Sequence, residues 1–77
     1  MRAPRARITL GTLDGEEILQ VQFPYDARLK DELKAVVPSE SRSWDPDRKQ
    51  WVIGGEYFVD VMLLLEQYVD EVVVDES

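Results

Sequence analysis

Polar and apolar residues alternate from Arg5 to Leu10 and again from Glu17 to Phe23. A period of two marks strands with one buried face. In the second run Leu19, Val21 and Phe23 share one face, and Ile18, Gln20 and Gln22 share the other. Asp14-Gly15 supplies turn chemistry between the runs, so the two predict a hairpin. Gly11 is expected to end the first strand early and lengthen the loop. Pro24-Tyr25-Asp26 then breaks the alternation, and Asp26 is a good helix N-cap. A helix is predicted over 27–37, with Leu29, Leu33, Val36 and Val37 on one stripe and Pro38 as its stop.

The segment Ser43-Trp44-Asp45-Pro46-Asp47-Arg48-Lys49-Gln50-Trp51-Val52-Ile53 has a turn at its centre and aromatic or β-branched flanks, the pattern of a second hairpin. An even loop centred on Asp47 and Arg48 sets Trp44 opposite Trp51, with Arg42 and Ile53 on the same face. An odd loop sends the two rings to opposite faces, because a one-residue slip flips every side chain. Gly54-Gly55 separates this hairpin from a second helix predicted over 56–68, whose apolar stripe leaves Val59 and Leu63 outside it. Val72-Val73-Val74 predicts a short last strand. The order ββαββα(β) implies an α+β fold in two layers, an antiparallel sheet with two helices on one face. The whole of 1–77 reads as one domain, with fraying expected at 1–5 and 75–77.

Composition narrows the chemistry. The chain has 77 residues with no cysteine and no histidine. That excludes disulfides, thiolate metal sites and every Ser/His or Cys/His nucleophilic set. Gly54-Gly55 lacks the lysine and spacing of a phosphate-binding loop, and the acids at 70, 71, 75 and 76 do not match an EF-hand. The chain is therefore expected to be no enzyme and to need no cofactor or metal. No run approaches the about 20 apolar residues of a membrane span. The basic start, Met1-Arg2-Ala3-Pro4-Arg5, has no apolar stretch behind it, so a cytoplasmic setting is expected.

Net charge is −7, and it is unevenly spread. Residues 1–53 hold all nine cations against nine acids, whereas residues 54–77 hold seven acids and no cation. The total disfavours tight, non-specific duplex binding, but the balanced part leaves room for a local basic patch. Trp44 lies close in sequence to Arg42, Arg48 and Lys49, a ring for stacking beside cations for phosphate. The competing reading puts both tryptophans in the core. Lys30 and Lys34 sit together on one flank of the first helix, four residues apart. Arg2, Arg5 and Arg7 are candidates for a phosphate-seeking arm.

Phe23-Pro24-Tyr25-Asp26-Ala27-Arg28-Leu29-Lys30, then Leu33-Lys34, then the Trp44-Asp45-Pro46…Lys49-Gln50-Trp51 element, resemble the HARP domain of annealing helicases. The same stretch is similar to the N-terminal domain of the phage repair helicase UvsW. The resemblance covers about residues 21–53. It implies a ββαββ(α) module that helps a helicase engage branched or partly single-stranded DNA. Carried over, it marks Lys30, Lys34, Arg42, Trp44, Arg48 and Lys49 as contacts, and Tyr25 and Trp51 as framework. The 77 residues hold no ATP-driven motor, so an accessory role in DNA repair is what it implies.

Two functions follow as expectations. One is a nucleic-acid-binding accessory module. The other is an acidic protein-interaction module that binds no nucleic acid and uses the acidic side of the second helix, or Val59, Leu63 and the last strand, to engage a basic partner or a second copy. Clustering of Lys30, Lys34, Arg42, Arg48 and Lys49 on one face favours the first, and pairing each with an acid favours the second.

Overall fold

A computed structural model describes residues 4–76. The first two strands, β1 (Arg5–Leu13) and β2 (Glu16–Gln22), close on a two-residue turn in which Asp14 and Gly15 take φ of 53° and 83°. Positive φ at both central residues suits the right-handed twist of a hairpin. Leu13 therefore pairs with Glu16, and the longer loop expected from Gly11 does not form. Gly11 keeps its place in the ladder opposite Ile18, because a missing side chain does not interrupt backbone pairing.

Helix α1 (Ala27–Val36) starts where Asp26 accepts hydrogen bonds from the amides of Arg28 and Leu29. Pro38 disfavours helical geometry at the residue before it, so Val37 turns extended (φ −108°, ψ 121°). Val37 then enters the core together with Leu29 and Leu33, and Val36, expected on that stripe, is left exposed. A short 3-10 turn at Ser39–Ser41 leads into β3 (Arg42–Asp45), which pairs with β4 (Gln50–Gly54) across a four-residue loop. The loop is even, so Trp44 lies opposite Trp51 and Arg42 opposite Ile53.

After β4 a 3-10 turn at Gly55–Tyr57 enters helix α2 (Phe58–Glu66), shorter at both ends than predicted. Gly55 is required there: a Cβ would stand 2.9 Å from both the Cβ and the carbonyl oxygen of Glu17. The last strand, β5 (Glu71–Glu76), is longer than Val72–Val74.

The sheet order is β3-β4-β2-β1-β5. The β1/β2, β2/β4 and β3/β4 pairs are antiparallel, but β5 runs parallel to β1. The sheet is thus mixed, which corrects the antiparallel expectation at its last strand. The cause is topological. A single helix between two strands returns the chain to its starting end, so β5 follows the direction of β4, which already runs parallel to β1.

Ala6, Ile8, Leu19, Val21 and Ile53 share one face of the sheet and form a single core with Leu29, Leu33 and Val37 beside α1 and Val61, Leu64, Leu65 and Val69 beside α2. Both helices therefore cover that face. Arg5, Asp75 and Glu76, expected to fray, are paired in strands, and residues 1–3 and 77 lie outside the described residues. Among the described residues no helix is long and apolar enough to cross a membrane.

Candidate nucleic-acid interface

The helix-covered face is left partly open at the β3/β4 end of the sheet. A cleft of about 630 Å³ lies there between α1 and the second hairpin. Its floor is Val21, Phe23 and Trp51, which follow the same strand alternation as the core. Lys30 and Lys34 reach it from α1, one turn apart, and Lys49 reaches it from the hairpin loop. Trp44 and Tyr25 complete the lining, and no carboxylate is among the lining residues.

Trp44 is half exposed rather than buried. Its ring centroid is 5.2 Å from that of Trp51, with the planes inclined at 59°. A tilted aromatic pair is worth about 0.5–1.5 kcal/mol beyond its buried area. Trp51 packs against the core, whereas Trp44 stays 49% exposed. The core reading thus holds for Trp51, and Trp44 lies half exposed beside it. Tyr25 was expected as framework, but it is 82% exposed at the cleft. Pro24 and the cap residue Asp26 hold it in the extended link between β2 and α1, outside the packed layers.

The loop is shaped by its own aspartate. The Asp45 carboxylate accepts hydrogen bonds from the amides of Asp47 (3.1 Å) and Arg48 (3.3 Å). Gln22 Nε2 adds a bond to the Arg48 carbonyl at 3.2 Å, tying the loop to β2. Asp45 lies one residue from Trp44 on the strand and so points to the opposite face of the sheet. Lys49, the last loop residue, has φ of 53°. That left-handed conformation costs an L-residue about 1–2 kcal/mol, and glycine is the residue the position favours.

Three of the five clustered cations meet in the cleft, and two do not. Arg42 Nη1 donates to the carbonyl of Val37 at 2.7 Å and approaches that of Lys34 at 3.5 Å. It thereby satisfies acceptors that the end of α1 leaves open. Arg48 is 71% exposed and stands 4.0 Å from Asp45. Among the described residues no carboxylate lies within ion-pair distance of Lys30, Lys34 or Lys49. Of the N-terminal arginines, Arg5 pairs with Glu71 (3.3 Å) and Arg7 with Asp75 (3.4 Å) on the open face of the sheet. Arg2 lies outside the described residues.

The acids of β5 are remote from this cleft. β3 and β5 are the two edges of a five-stranded sheet, so four strand spacings of about 4.8 Å separate them by about 19 Å. That exceeds the screening length of about 8 Å at physiological salt. A second cleft of about 560 Å³, at the β1/β2 turn side of α2, is lined by Glu17 and Glu76 without a cation, the wrong sign for phosphate. Among the described residues no group of acids is arranged to hold a metal.

Comparison with protein-family models, with curated proteins and with solved structures finds no match.

Proposed function

We propose that this domain is a non-catalytic module that binds unpaired nucleic acid, single-stranded or branched DNA, as an accessory to helicase or repair function. The observation that carries the reading is the half-exposed Trp44, backed by Trp51 and ringed by Lys30, Lys34 and Lys49 in a cleft without a carboxylate. An aromatic face accepts any base, at about 1–3 kcal/mol per stacked base. The lysines neutralise the phosphates on either side. The resemblance of residues 21–53 to the HARP domain supports the same reading. Duplex DNA is the poorer ligand, because its bases are already stacked and the rest of the surface is acidic.

The test is a titration of tryptophan fluorescence with single-stranded, forked and duplex DNA at low and then higher salt. Three phosphate contacts on a single strand predict a slope of log K against log salt of about −2. Quenching by single-stranded and forked DNA that weakens with this slope is the expected result. A flat titration on all three DNAs at low salt refutes the proposal and leaves the acidic interaction module that binds no nucleic acid. That second reading draws on the exposure of Val59 (63%) and Leu63 (56%) on α2.

A further inference from the structure

Tyr25 is the most exposed large hydrophobic side chain among the described residues, at 82%. It belongs neither to the core nor to the partly buried residues packed against it. Its backbone, in contrast, is fixed from both sides. Pro24 before it has a locked φ. Asp26 after it is extended (φ −152°, ψ 113°), with its carboxylate committed to capping α1. Tyr25 continues the alternation of Val21 and Phe23 past the end of β2. Its ring therefore stands on the helix-covered face and lines the Trp44 cleft.

Trp44, Trp51 and Val21 form one row across β3, β4 and β2. Trp44 thus bounds the cleft on the outer strand and Tyr25 bounds it at the link between β2 and α1. Trp51 and Phe23 form the floor between them. The strands β3 and β2 stand two spacings apart, about 10 Å. A base is about 3.4 Å thick, so this gap admits one base with an aromatic ring on each face. Lys30 and Lys34 stand on the α1 side and Lys49 on the hairpin side. Phosphates leaving the base in either direction each meet a cation.

We infer that Tyr25 and Trp44 close on the two faces of one unpaired base, which makes the cleft a clamp for a single nucleotide within or at the end of a strand. The clamp presupposes the nucleic-acid reading above, and it adds a second contact residue and a site size of one base. A tyrosine whose backbone is already fixed contributes contact area at small entropic cost. A base inside a duplex has both faces covered by its neighbours and leaves nothing to clamp. A proline ring also fits between aromatic walls, but it brings no anion to the three lysines.

The test titrates the full chain with a 5′-phosphorylated thymidine trinucleotide and with the same trinucleotide lacking its central base. Amide shifts in NMR at low salt give the Kd of each. Tyr25→Ala is expected to weaken the intact trinucleotide by about 5- to 150-fold. It is expected to leave the abasic ligand unaffected and Tm unchanged, and Tyr25→Phe is expected to bind as wild type does. An equal loss on both ligands, or no loss while the wild type binds, overturns the clamp and leaves the nucleic-acid reading standing. So does binding of a longer single strand without binding of the trinucleotide, the signature of an extended track. A wild-type chain that binds neither trinucleotide nor longer strand removes the reading and the clamp together. Cleft shifts with a decaproline peptide and with no DNA have the same consequence and assign the cleft to proline-rich segments.

Discussion

If the cleft binds nucleic acid as proposed, Lys49 couples stability to binding in opposite directions, and Lys49→Gly separates the two. The wild-type residue holds φ of 53°, at a cost of about 1–2 kcal/mol relative to an unstrained backbone. Glycine removes that cost but loses about 0.4–1 kcal/mol through its freer unfolded state. The net expectation is a gain of up to about 1.6 kcal/mol, centred near about 0.8 kcal/mol, or a rise in Tm of about 3–6 °C at that centre for a domain of this size. The same substitution deletes one of the three cleft lysines. Affinity for single-stranded DNA is then expected to fall, and the slope of log K against log salt to shrink by about 0.7. Lys49→Ala is the control: it loses the charge and keeps the strain, so binding falls equally with no gain in Tm. Thermal denaturation followed by circular dichroism reads the first quantity and tryptophan fluorescence the second. A lower Tm for Lys49→Gly refutes the strain argument. Unchanged DNA affinity in both variants refutes the role of Lys49 in binding.

Trp44→Ala is expected to keep the fold, since the ring is half exposed, while DNA binding weakens by about 5- to 150-fold for one lost stacking contact; a smaller loss in a fluorescence-anisotropy titration counts against stacking. Gln50 is 5% exposed, and its Nε2 has no hydrogen-bond partner among the described residues. Gln50→Met removes that unpaired donor at similar volume and is expected to add about 1 kcal/mol, or about 4–8 °C in Tm; a fall in Tm contradicts the reading. The Tyr68 phenol titrates above its ordinary value of 10.0, chiefly because its hydroxyl hydrogen bonds to the Glu32 carboxylate. A pKa raised on folding means that the contribution of this bond is complete below the unfolded value and is lost as pH rises through the folded one. Tyr68→Phe is therefore expected to lower stability at neutral pH and to converge with wild type in strong alkali, in urea denaturation across pH; a constant difference refutes it.

Local chemistry in the sequence determined most of the elements. Asp14-Gly15 makes its own turn, Asp26 caps α1, and Pro38 forces Val37 out of the helix. Each effect acts between neighbours and needs no tertiary partner. The two lysines on α1 and the Trp44/Trp51 hairpin were legible for the same reason, since periods of four and two are written into adjacent residues. The periodicity left open whether the rings share a face, and the four-residue loop decided it. Other features depended on how distant segments meet. Sheet order made β5 parallel to β1 and set it at the edge opposite the cleft. Closure of α1 onto the hairpin drew Arg42 to the helix carbonyls and left Arg48 outside the cleft, though both looked equal to Lys49 in sequence. The same closure left Tyr25 at the cleft rather than in the framework. A cation's role is set by which acceptor lies within reach once the layers have packed, and that distance has no trace in local periodicity.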